Sequence, residues 1–149
     1  MSGYIDIVCN PYTPWVLERK LMGVDEGFKT QVRMSDDMRN GVEIEDYMRR
    51  MDAAGIERSL LIAHRCGDLN VKGSFEIPYS RVHDICQQHP DRFSGLAGVD
   101  PTRGMQGLKD LEESVRDFGF VGAHFYPHWF GLAPDHRLIY PYYAKCCEL

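Results

Sequence analysis

The chain has 149 residues, 44% of them hydrophobic and 26% charged, the balance of one soluble globular domain that buries a core rather than of a disordered chain. A net charge of -5 with no basic block excludes the electrostatic footprint of a nucleic-acid or polybasic membrane binder and leaves a small molecule as the expected ligand. The start, MSGYIDIVCNPYTP, has no basic or apolar leader region, no apolar run reaches a membrane span, and five cysteines form no C-x-x-C spacing, so a cytoplasmic protein with reduced thiols is expected.

The first predicted strand is YIDIVCN from Tyr4. A connection of about residues 11–41 follows, too long for a simple strand-to-helix loop of two to six residues. Its Met, Phe and Trp content argues against a pure linker, and a short helix is expected around Trp15 to Leu21. A lid or partner-contact segment and a packed loop without motion both fit it.

In VEIEDYMRRMDAAG, Ile44, Tyr47, Met48 and Met51 fall at i, i+3, i+4 and i+7, which predicts an amphipathic helix ending at Gly55. RSLLIAH from Arg58 reads as the second strand. Val82, Ile85, Cys86 and His89 then mark a helix that stops at Pro90. RFSGLAGVD from Arg92 is the third strand, and Leu108, Leu111, Val115 and Phe118 mark a helix closed by Gly119. FVGAHFYP from Phe120 is the fourth strand, and YPYYAKCCEL opens a further helix with Tyr142, Cys146 and Leu149 on one face. The order βαβαβαβ requires right-handed crossovers onto a parallel sheet, hence an α/β protein with strands in sequential order.

In parallel α/β folds the carboxyl edge of the sheet collects ligands. Asn10, His64, Arg65, Asp100, His124, Tyr126 and His128 all sit at strand ends here, and the period of two places Asp6, Val8 and Asn10 on one face of strand one. Each polar residue also has a plainer reading: Asn10 as a turn residue before Pro11, Asp100 as a cap before Pro101, His64 as a solvated edge histidine. FYPHWFG, with Trp129 at its centre, is too bulky for a tight turn and serves either as a ligand-facing wall or as packing beneath a loop.

YIDIVCNPYTP, HPDRFSGLAGVDP and GFVGAHFYP, in this order and spacing, resemble successive strand regions of the amidohydrolase-related family of metal-dependent hydrolases and decarboxylases, the group of the aminocarboxymuconate-semialdehyde and γ-resorcylate decarboxylases. The resemblance runs through almost the whole chain. It implies the first half of a TIM-type (β/α)8 barrel, since such a barrel takes roughly 250 residues. The missing half would come from further chain or from a second copy in a homo-oligomer.

The family usually opens with Asp-x-His-x-His, or with Glu in the first ligand position, on strand one, binding a divalent metal that is usually zinc. Asp6 matches, but Val8 and Asn10 stand at the other two positions. Valine offers no lone pair and a neutral amide is a weak zinc ligand, so this chain is expected to hold no metal or other cofactor by itself. The resemblance implies hydrolysis or non-oxidative decarboxylation of a small carboxylated or cyclic compound. His124, His64 and Asp100 are the expected catalytic residues, and Asn10, Arg65, Tyr126, His128 and Trp129 the expected substrate contacts, with Arg65 or His128 holding a carboxylate. A catalytically silent barrel piece that acts as a binding or assembly subunit is the alternative.

Overall fold

A computed structural model describes residues 3–67 and 73–149. Four strands, β1 (Tyr4–Cys9), β2 (Ile56–Ala63), β5 (Phe93–Gly98) and β6 (Gly122–His124), pair in parallel in the order β1-β2-β5-β6. Between β2 and β5 lie β3 (Arg65–Cys66) and β4 (Phe75–Glu76), a two-stranded antiparallel ribbon absent from the predicted strands. The four parallel strands keep their chain order, as right-handed crossovers one helix long require. They curl into half of a (β/α)8 barrel.

The crossover helices follow the apolar spacing. Helix α3 (Ile44–Ala54) ends where Gly55 takes the left-handed conformation at φ 72°, which a side chain would strain, and the Gly55 N–H donates to Asp52 O. Helix α4 (Tyr79–Gln88) stops two residues before Pro90. Helix α5 (Gly104–Arg116) begins three residues before the predicted GLKDL start, because a 3-10 turn at Pro101–Arg103, capped by Asp100, runs straight into it. Met51, Val82, Ile85 and Leu111 bury these helices against Leu61, Ala63, Phe93 and Ala97 of the outer sheet face. That burial is the main favourable term of the fold.

The connection after β1 contains helix α1 (Pro14–Glu18), shorter than the expected Trp15 to Leu21 segment. Helix α2 (Glu26–Gln31) follows, its first turn held by the Phe28 N–H donating to Asp25 Oδ1 at 2.7 Å. Strand β6 is shorter than FVGAHFYP suggested. Its pairing to β5 ends at His124, and Pro127, lacking a backbone N–H, starts a 3-10 turn over Pro127–Phe130.

The last helix, α6 (Tyr140–Glu148), departs from its expected face. Tyr142 is buried and donates to Asp100 O at 2.9 Å, in space left by Gly107, but Cys146 is exposed and Leu149 only partly covered. Both line a small hollow with Leu111, Val115 and Phe120 beside the free edge of β6. No helix among the described residues is long and apolar enough to cross a membrane.

Candidate active-site cleft

A cleft of about 580 Å³ opens at the carboxyl ends of the strands. Its floor is the inner face of β1, with Asp6, Val8 and Asn10. His64, the residue after β2, and Tyr126, His128 and Trp129 from the segment after β6 form one wall. The long connection forms the other, through Met22, Val24, Phe28, Met34 and Met38. The Met and Phe content that argued against a linker therefore has a place in the structure, at the cleft.

His64 is the most deeply placed polar group. Only 2% of it is exposed, its ring lies parallel to Tyr126 with centroids 5.5 Å apart and planes at 12°, and Phe75 flanks it at 5.9 Å. Its Nε2 is buried without a hydrogen-bond partner, and Nδ1 has only the weak contact of Cys66 Sγ at 4.0 Å. Burial, with a smaller contribution from nearby His124, pushes the His64 imidazole down to about 4, so it is neutral at pH 7.

His124 meets the edge of the Tyr126 ring at 4.5 Å. Its Nδ1 is also buried and unpartnered, and burial lowers its affinity for a proton. Burial pushes the Tyr126 phenol up to about 12, with Cys66 adding to the effect, so the phenol keeps its proton at neutral pH. The neutral imidazole of His64 and the neutral phenol of Tyr126 thus line the cleft together, while His124 touches Tyr126 but is not itself among the cleft residues. A buried polar nitrogen without a partner is costly, and a ligand hydroxyl or carbonyl would supply one.

Besides His124, which does not line the cleft, two expected site residues are engaged elsewhere. Asp100 Oδ1 accepts from Thr102 N at 2.9 Å and Thr102 Oγ1 at 2.6 Å, the capping role, and Asp100 is not among the cleft residues. Arg65 points to the helix side of the sheet. Its guanidinium donates to Asp110 Oδ2 at 2.6 Å, lies 3.6 Å from Glu76 and sits 4.3 Å over the Tyr79 ring. Backbone alternation explains this: residues 64 and 65 point to opposite faces, and only His64 faces the cleft. Arg65 is thereby held away from the cleft.

Phe75 and the three methionines were not anticipated as site residues. Phe75 comes from β4 and packs edge-on to Trp129 at 5.7 Å, bracing the aromatic wall. The methionines lie in a segment without periodicity, where composition alone marked them.

The donor set decides what β1 can hold. Val8 has no lone pair, and Asp6 Oδ1 accepts from the Val8 N–H at 3.1 Å. Among the described residues no three His, Cys, Asp or Glu side chains are grouped as metal ligands. These residues do not fit the divalent metal of the resembled family.

The sequence matches the amidohydrolase family model over residues 28–149. The chain belongs to the amidohydrolase family. No curated protein matches it significantly. Among solved structures, 4-oxalomesaconate hydratase from Rhodopseudomonas palustris is 25% identical, with a TM-score of 0.64 over 97% of this chain and 49% of its own. A 2,6-dihydroxybenzoate decarboxylase from Rhizobium is 21% identical, with a TM-score of 0.62 over 97% and 46%. A TIM-barrel protein from Bordetella bronchiseptica is 17% identical, with a TM-score of 0.62 over 97% and 51%. This amidohydrolase chain thus spans about half the length of the solved structures it matches, and the likeness establishes the barrel fold.

Proposed function

We propose that the chain supplies four strands of the active site of an amidohydrolase-type enzyme acting on a small carboxylated or cyclic compound, by hydrolysis or non-oxidative decarboxylation. The observation that carries this reading is the pair of buried, unpartnered ring nitrogens, His64 Nε2 and His124 Nδ1, whose rings both pack on Tyr126 at the carboxyl edge. The aromatic wall of Tyr126 and Trp129 orients a ring. The decarboxylase and hydratase activities of the structural neighbours agree with that class.

The two histidines divide the work. An imidazole at about 4 is a weak base at pH 7, and proton transfer is most effective from groups tuned near the working pH. His64 therefore binds and orients a ligand hydroxyl through Nε2. His124 Nδ1 handles the proton. In hydrolysis its lone pair accepts a proton from the attacking water; in decarboxylation His124 first takes a proton from solvent, the carbon–carbon bond breaks, CO2 leaves, and the ring carbon that keeps the electron pair takes that proton from the imidazolium Nδ1–H, which returns His124 to the neutral form. Four further β/α units, from the same polypeptide or a second copy, would cover the free edges of β1 and β6 and supply the rest of the site.

A second reading, a catalytically silent barrel piece that binds a ring compound, is favoured by Val8 and Asn10, which leave the strand-one metal motif degenerate. Assay of the intact protein with 2,6-dihydroxybenzoate, other ring carboxylates and cyclic amides, scored for CO2 release and ring opening, separates the two. Turnover that falls at least tenfold in His124→Gln with ligand affinity preserved supports the enzyme. Ring binding with no turnover on any of these substrates supports the silent subunit.

A further inference from the structure

We infer that this cleft selects uncharged planar rings over the corresponding ring carboxylates, and binds them without a divalent metal. The inference rests on the preceding reading of the cleft as a ring site and names the ligand class that this half of the site prefers.

The described residues lining the cleft include no lysine or arginine, and their one carboxylate is Asp6. Arg65, the nearest cation in sequence to His64, is held on the opposite face by Asp110 and Glu76. A carboxylate entering here meets like charge and low dielectric with no guanidinium to receive it, so desolvation works against it.

Val8 puts an isopropyl group where the resembled family places a metal ligand, making the floor apolar, and Phe28, Met38 and Trp129 continue that surface. Trp129 and Phe28 are 43% and 45% exposed, large apolar area that a ring would cover. Methionine side chains adapt to such a ring. The polar requirement is small and local: one hydroxyl for His64 Nε2.

Resorcinol and 2,6-dihydroxybenzoate differ only by the carboxylate, so calorimetric titration of the intact protein with each at pH 7.5, in EDTA and again with added zinc, tests the inference. Resorcinol should bind at least tenfold more tightly than 2,6-dihydroxybenzoate, with the same Kd in EDTA and in zinc. Trp129→Ala and, separately, Phe28→Ala should each weaken resorcinol several-fold, and both positions are exposed enough to leave folding intact. Equal or tighter binding of the carboxylate, or resorcinol binding that needs zinc, overturns the inference while leaving the ring site in place. Binding of neither compound overturns both the inference and the ring-site reading beneath it.

Discussion

The rings of His64 and Tyr126 lie 12° from parallel with centroids 5.5 Å apart, although 62 positions separate them in sequence. The stack joins the carboxyl end of β2 to the segment after β6 across the whole width of β5. It also buries His64, which keeps the imidazole neutral and leaves Nε2 without a hydrogen-bond partner.

That burial makes stability depend on pH. The folded-state value for His64 is about 4 against an ordinary 6.5, so between these the unfolded chain binds a proton that the folded chain refuses. Stability is full above pH 6.5 and falls as the pH drops to 4, by up to about 3 kcal/mol from this one group. Urea denaturation at pH 7.5, 5.5 and 4.0 measures the decline. His64→Gln, which cannot titrate, should flatten it markedly.

Asp110 lies between two guanidinium groups, 2.6 Å from Arg65 and 2.8 Å from Arg103. Arg65 is largely buried, so Asp110→Ala would leave a cation with only Glu76 at 3.6 Å to balance it. A loss of about 3 kcal/mol is expected in chemical denaturation. Replacing both partners, Arg65→Met with Asp110→Leu, should recover part of it, since well-packed apolar side chains often match a buried ion pair. A loss for Asp110→Ala below about 1 kcal/mol would show that the pair is effectively solvated.

Gly98 allows the close approach of β2 to β5. A β-carbon there would overlap the Ala63 carbonyl and lie 2.6 Å from the Arg65 N, in the segment that carries His64. Gly98→Ala should therefore cost about 2 kcal/mol or more and weaken ligand binding together with stability. Gly131→Ala is the contrasting substitution, because no atom stands within 4 Å of the added carbon and the cost is the left-handed φ of 62° alone.

Much of the frame was legible because it rests on short-range signals. The i, i+3, i+4 spacing of Ile44, Tyr47 and Met48, and the stops at Gly55 and Pro90, locate helices to within a few residues. His64, Asn10, Tyr126, His128 and Trp129 were legible as cleft residues because strand ends in a parallel sheet converge. Arg65 was not, because its partner Asp110 lies 45 residues away on α5 and nothing local marks the pair. For Asp100 the sequence allowed both a cap and a catalytic carboxylate, and Thr102 two residues on takes up the carboxylate as a cap. Phe75 and Met22, Met34 and Met38 reach the cleft from segments without periodicity, where only the folded chain brings them together.

The central claim, that a neutral and unpartnered His64 Nε2 is the polar anchor of a ring-binding cleft, is tested most directly by long-range nitrogen NMR of the histidine side chains. The His64 imidazole should stay neutral from pH 8 down to about 5, and its Nε2 resonance should shift on addition of resorcinol. A His64 that titrates near 6.5 with an Nε2 resonance unmoved by saturating resorcinol would contradict it.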